Sequence, residues 1–364
     1  MEFNKNNSRH QIIALVVIAF LSGFFSCSEE QPIIPAPPAA PDTTSHDFKW
    51  ETYYLGDAQS MLRDIYAIND TDAWAVGSVF IKDSTGQLDW RMYNAAHWDG
   101  REWKLFRLPA LIYTGDTARF SEILSVCALS TDDVWMFSIV GAFIHWNGKI
   151  WETGFVSERK GSVIKIHANG RSDIYFAGTN GSITHWDGSS FKLMESGTTT
   201  DLFDISGVFR GKAYACGGEF SGTVLEYDGE KWSTIDSLKD SRKGRWTVCA
   251  MNDFFAVGGM ELKYIDFIKF DTLRMPPIKV MEGGLGQGHY IVTTSVRASS
   301  RNNVFAIGDW QYVLHYNGKS WHWYDDLWDM GGHTQYSLSV TDNSVFITGR
   351  NNDRATVLHG TRIK

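Results

Sequence analysis

Short apolar runs broken by polar turn residues recur along this chain, and the order of the runs repeats. One phrase is a hydrophobic strand, then His-Trp-Asp-Gly or a close variant, then an aromatic: His97–Trp103, His145–Trp151, His185–Phe191, Glu226–Trp232 and His315–Trp321. A second phrase precedes it, an apolar strand that carries an aromatic and usually ends in Gly: Ala73–Gly77, Val134–Ser138, Ile174–Gly178, Ala213–Gly217, Phe254–Gly258, Val304–Gly308 and Val345–Gly349. A period of about forty residues marks an array of small identical units. Within Val163–Ser196, alternation predicts a strand over Val163–Ala168, a second at Ile174–Ala177, a third at Ser182–Trp186 and a fourth at Ser189–Met194. Asp187-Gly188 reads as a two-residue type I′ hairpin turn, which needs φ > 0 at both positions.

Four short antiparallel strands per repeat make one propeller blade. The expected fold is all-β, a seven-bladed β-propeller with four antiparallel strands per blade. The blade cores fall at about 63–108, 123–155, 163–196, 203–237, 246–276, 292–326 and 336–364. The fifth is degenerate, with Lys269-Phe270-Asp271-Thr272 in place of the His-Trp-Asp-Gly phrase. The last stops soon after Val357–Gly360, while Phe48–Leu55 resembles an outer strand such as Arg101–Phe106. A segment at about 48–55 is therefore expected to complete the last blade and close the ring, which would remove exposed sheet edges. The phrases resemble propellers of the WD-repeat and kelch-like class over nearly all of 48–364. Gly217-Gly218 and Gly258-Gly259 match the kelch doublet, and Trp98-Asp99 and Trp186-Asp187 match the WD dipeptide. The Asp-Gly turn is also similar, one residue short, to the Asp-box of sialidase-type propellers.

The N-terminus changes the picture of where such a domain sits. Lys5 and Arg9 precede an apolar stretch, Gln11–Phe25, which ends at Ser26-Cys27. This resembles a bacterial lipoprotein signal and implies lipidation at Cys27, with Phe24 where Leu is usual. The domains expected are a signal peptide at 1–26, the lipidated Cys and a Pro-rich tether at 27–46, and the propeller at 47–364. The tether carries Pro32, Pro35, Pro37, Pro38 and Pro41. At about 3.1 Å per residue it would hold the domain up to roughly 60 Å from a membrane. Such a chain is expected to be an outer-membrane lipoprotein, on the periplasmic side or at the cell surface. A net charge of -8 argues against a nucleic-acid partner. Cys127, Cys216 and Cys249 lie in apolar strands and read as buried thiols.

The recurring His97, His145, His185 and His315 occupy one position in different blades, so they are too far apart to share a metal ion. They are expected to hydrogen-bond within their own blades, and no metal or cofactor is predicted. Function is expected on the rim that gathers the long loops. The candidate ligand-binding residues there are Trp90, Tyr113, Phe120, Arg119, Arg242, Arg245, Tyr290, Trp328 and His333. Exposed aromatics among polar groups suit a glycan or an envelope protein. The long loops also hold Asp83, Asp89, Asp116, Glu122, Asp240, Glu282 and Asp329, none within a catalytic motif, so no catalytic residue is assigned. A non-catalytic, membrane-anchored binding or scaffold propeller is the reading favoured. A propeller glycosidase or lyase acting on extracellular polysaccharide, and an outer-membrane assembly factor, are the alternatives.

Overall fold

The structure is a computed structural model that describes residues 43–114, 117–209, 212–237, 244–251, 254–259, 263–266, 293–308, 312–330 and 333–363. Cys27 and the rest of the proposed signal and tether up to residue 42 lie outside the described residues. The first strand is β1 (Phe48–Leu55). After it, β2 (Met61–Asn69), β3 (Asp72–Val79), β4 (Tyr93–Trp98) and β5 (Trp103–Phe106) pair in that order. A hairpin of β6 (Leu111–Thr114) and β7 (Thr117–Phe120) follows. The next sheet is β8 (Ile123–Ser130), β9 (Asp133–Ser138), β10 (Ala142–Trp146) and β11 (Trp151–Phe155). Then come β12 (Val163–Gly170), β13 (Asp173–Gly178), β14 (Ile183–Trp186) and β15 (Phe191–Met194). They are followed by β16 (Leu202–Phe209), β17 (Lys212–Gly217), β18 (Thr223–Tyr227) and β19 (Trp232–Ser237). A three-stranded sheet holds β20 (Arg245–Ala250), β21 (Phe254–Gly259) and β22 (Lys263–Asp266). After it come β23 (Thr293–Ser300), β24 (Asn303–Gly308), β25 (Val313–Tyr316) and β26 (Trp321–Trp323). The final sheet runs β1-β29-β28-β27, from β27 (His333–Val340), β28 (Ser344–Asn351) and β29 (Arg354–Arg362).

Among the described residues the fold is thus all-β, with six four-stranded antiparallel blades rather than the seven expected. The sheet of β20–β22 has three strands among the described residues, and the segment that would turn its third strand into a fourth, Lys269–Thr272, lies outside them. The hairpin turns also differ from expectation. Trp186 pairs with Phe191, so the turn is four residues long. Only Gly188 has positive φ, at 94°. Asp187 instead accepts from the backbone N–H of Ser189 and Ser190, an Asx arrangement that closes the turn without left-handed Asp. Asp99, Asn147, Asp228 and Asn317 do the same in their blades.

The core lies between sheets. Trp74 and Val76 of β3 pack against Ile123, Val126, Val134 and Met136 of the following blade. Phe137 of β9 packs against Ile166, Ile174 and Phe176 of the next. Both faces of each blade are covered in this way, which explains the near-continuous apolar β3, β9 and β24. The recurring terminal Gly has a steric cause. A Cβ on Gly178 would sit 1.9 Å from the Ser162 carbonyl oxygen, and one on Gly217 1.9 Å from that of Asp201. The second strand there presses directly on the start of the first.

Candidate functional site at the channel mouth

Every inner strand slips register by one residue near its start. The slips fall between Leu62 and Asp64, Ile123 and Ser125, Val163 and Lys165, Leu202 and Asp204, Arg245 and Thr247, Thr293 and Ser295, and Gln335 and Ser337. A bulge re-aims the side chain it leaves unpaired. The bulged residues are Arg63, Leu124, Ile164, Phe203, Trp246, Thr294 and Tyr336, and all of them line one cavity of about 290 Å³. The inner strands therefore surround a common channel, and this cavity is its mouth.

Consecutive hairpins put the first-to-second and third-to-fourth turns of each blade on one rim and the remaining connections on the other. The mouth opens on the rim with the longer connections, including 80–92, the β6–β7 hairpin and the 3-10 helix Asp325–Met330. Trp90, Phe155 and Phe220 are exposed on that rim, at 58%, 65% and 67%.

Below the bulged ring lies a floor of paired charges. Asp64 accepts from Lys165 Nζ at 2.5 Å, Ser337 Oγ at 2.7 Å, Ser125 Oγ at 2.8 Å and Val126 N–H at 3.0 Å. Burial raises its carboxyl pKa, but Lys165 and these hydrogen bonds outweigh that and hold it below the usual range. Three blades on, Asp204 repeats the pattern. It accepts from Arg297 Nη1 and Nη2, both at 2.9 Å, from Thr247 Oγ1 at 2.8 Å and from Val248 N–H at 2.9 Å. Each site joins an acid on one inner strand to a hydroxyl and an N–H on the next and a cation on the third. Ser125 and Thr247 pass the chain on, accepting from Ile166 N–H and Val296 N–H.

The recurring histidines serve their own blades. Nε2 of His97, His145 and His185 lies 2.8, 2.9 and 2.8 Å from Asp72, Asp133 and Asp173. His315 pairs with Asn303 at 3.0 Å. The rings stack on the aromatic of the second strand: His145 on Trp135 at 4.0 Å and His315 on Phe305 at 4.4 Å. Where the phrase reads Glu226, the partner position is Lys212, 2.7 Å away, so the pair is preserved with its charges exchanged. Among the described residues no cluster of His, Cys, Asp or Glu could hold a metal ion. Cys127, Cys216 and Cys249 are buried free thiols, and burial pushes each pKa up.

Of the residues singled out from the sequence, Trp90, Phe120 and Arg245 have described side chains, and none of these three lines the cavity. Trp90 is exposed between β3 and β4, and Phe120 is half-buried at the end of β7. Tyr113 and Arg119 lie in the β6–β7 hairpin, Trp328 in the 3-10 helix and His333 at the start of β27. Arg242 and Tyr290 lie outside the described residues. Arg245 is fully buried, with Nη2 3.1 Å from Asp236, while its neighbour Trp246 faces the mouth. Among the long-loop acids, Asp83 caps its own turn, Asp89 pairs with Arg91 and Glu122 with Arg63.

No family model matches the chain, and no curated protein matches it. Solved structures do. YCF48 bound to D1 peptide matches with a TM-score of 0.61 at 15% identity, covering 88% of this chain and 100% of that one. Virginiamycin B lyase from Staphylococcus aureus gives 0.59 at 10% identity, over 87% and 100%. The WD40 β-propeller domain of Doa1 gives 0.56 at 14% identity, over 87% and 98%. The fold is a β-propeller. Its neighbours on this fold, a peptide-bound protein and a lyase among them, differ in what they do, so the likeness concerns architecture alone.

Proposed function

We propose that this chain is a membrane-anchored, non-catalytic binding propeller of the bacterial envelope, and that it holds a polypeptide partner at the channel mouth. The observation that carries the reading is the bulged ring. Each inner strand gives up a ladder position to turn a side chain into the same cavity, and those side chains are half-buried or exposed rather than core. Leu124, Ile164, Phe203, Trp246 and Tyr336 form an apolar wall of the kind that anchors a protein partner. A glycan is less well served. Sugar hydroxyls need acceptors as well as donors, and both floor carboxylates already have their lone pairs engaged. A peptide-bound neighbour on the same fold is in keeping with this use.

The anchor reading rests on the Ser26-Cys27 signal and the Pro-rich tether. We read β1 as the strand that seals the ring. It pairs along the whole of β29, from Phe48↔Arg362 to Leu55↔Ala355. Ala67 N–H and Asn343 Nδ2 bond across to Ser339 and Asp70.

The test is crosslinking capture from envelope fractions with the full-length protein. Partners identified with the wild type should be lost with Phe203→Ala and Tyr336→Ala. Capture that survives both substitutions at full strength refutes the mouth as the binding surface. Metabolic labelling with a fatty-acid analogue should be abolished by Cys27→Ala; labelling that persists removes the anchor.

A further inference from the structure

The donors and acceptors of the floor are unevenly used. Asp64 and Asp204 accept four or more hydrogen bonds each, which fills a carboxylate. The cations are not filled. Lys165 has three N–H donors and bonds only Asp64 among the described residues. Arg297 directs Nη1 and Nη2 at Asp204, Thr247 Oγ1 and two main-chain carbonyls, and its Nε–H has no acceptor among the described residues. Both side chains line the cavity. The open positions at the bottom of the mouth are therefore donors on cations, under an apolar wall.

We infer that the mouth binds a carboxylate carried on an apolar body, the carboxylate directed at the open donors of Lys165, with Arg297 adding positive charge on the same floor, and the body against Leu124, Ile164 and Phe203. Size sets the scale. A cavity of about 290 Å³ lies at the small end of ligand sites, which run from about 300 to 1,000 Å³, and suits one bulky side chain. Charge-assisted hydrogen bonds to a carboxylate in a partly dehydrated site are about twice as strong as neutral ones. They would also satisfy donors that the fold leaves open. A chain end with an apolar last residue and a free hydrophobic acid share this chemistry. The inference rests on the mouth being the binding site and adds what it selects.

The experiment uses the full-length protein in detergent and three probes: N-acetyl-phenylalanine, its amide, and a pentapeptide ending in phenylalanine. The acid should bind about tenfold or more tightly than the amide, with an affinity that falls as salt is raised. Ile164→Glu places a competing carboxylate on the half-exposed wall. It should abolish acid binding, while Ile164→Ser weakens acid and amide alike and keeps the preference. A pentapeptide that binds more tightly than N-acetyl-phenylalanine assigns the site to a chain end, and equal binding assigns it to a free acid. Equal affinity for acid and amide, or Ile164→Glu binding the acid as wild type does, overturns the inference. Partner capture that persists in saturating acid, yet is lost in Phe203→Ala, also overturns it and leaves the mouth as the site.

Discussion

Asp64→Leu tests the floor directly. The substitution leaves the Lys165 ammonium, 15% exposed, without its anion, and strips acceptors from Ser125, Ser337 and Val126 N–H. Removing one partner of a buried pair costs about 3–5 kcal/mol. Unfolding entropy of about 2 cal/mol/K per residue over roughly 300 residues gives about 0.6 kcal/mol per degree, so Tm should fall by about 5–8 °C. Lys165→Met should cost less. The carboxylate it leaves keeps three hydrogen bonds, whereas the ammonium left by Asp64→Leu keeps none. The double variant should be no less stable than Asp64→Leu alone, because the stranded charge is gone. Scanning calorimetry or denaturant titration of the three proteins reads the order. If Lys165→Met costs as much as Asp64→Leu, or if Asp64→Leu lowers Tm by less than about 2 °C, the floor does not hold the inner strands together as argued.

Gly178→Ala should destabilise by about 1–3 kcal/mol, since its Cβ would meet the Ser162 carbonyl, while Gly170→Ala, with no atom within 4 Å of its Cβ, should be close to neutral. Deleting 47–56 should lower the melting temperature sharply by exposing β29 along its length; unchanged melting refutes a structural role for β1. Stability should also fall as pH drops from about 6.5 to 5. Burial, then His46, Arg362 and His322, pushes the His315 pKa down to about 2, and burial lowers His359 to about 4. The folded form therefore binds these protons more weakly than the unfolded chain, and the stability present above pH 6.5 is lost on acidification. Asp64, whose pKa is also lowered, acts in the same direction but only below the carboxylate range near 4. Urea titrations of wild type and His315→Asn at pH 7 and 5 separate the groups. An equal loss in both proteins would clear His315 of any share.

The blades were legible because their signals are local. The His-Trp-Asp-Gly phrase places a third strand, an Asx turn and a fourth strand within seven residues, and its His finds an Asp on the neighbouring strand of the same sheet. The turn type differs from expectation because Asp-Gly is compatible with several turns, and the side-chain oxygen of Asp187 closes this one with positive φ at Gly188 alone. The mouth is not legible in the loops, where the aromatics concentrate. It was present as a break in the strand pattern. Positions that should read as buried apolar carry Asp64, Ser125, Lys165, Asp204, Thr247, Ser295 and Ser337, each directly after a half-buried or exposed residue. Alternation cannot flag such a position, because a bulge shifts the phase by one residue and restores it. Only alignment of the repeats against one another exposes it. The physical reason for the bulge then explains its site. A strand can turn a side chain out of its ladder where the adjacent strand presses on it with glycine, as Gly77, Gly178, Gly217 and Gly349 do. Where a glycine closes the second strand, that glycine and the residue that lines the mouth meet at one close approach, so substituting either should disturb the other; β9 closes on Ser138 instead, and its partner strand bulges at Leu124 all the same.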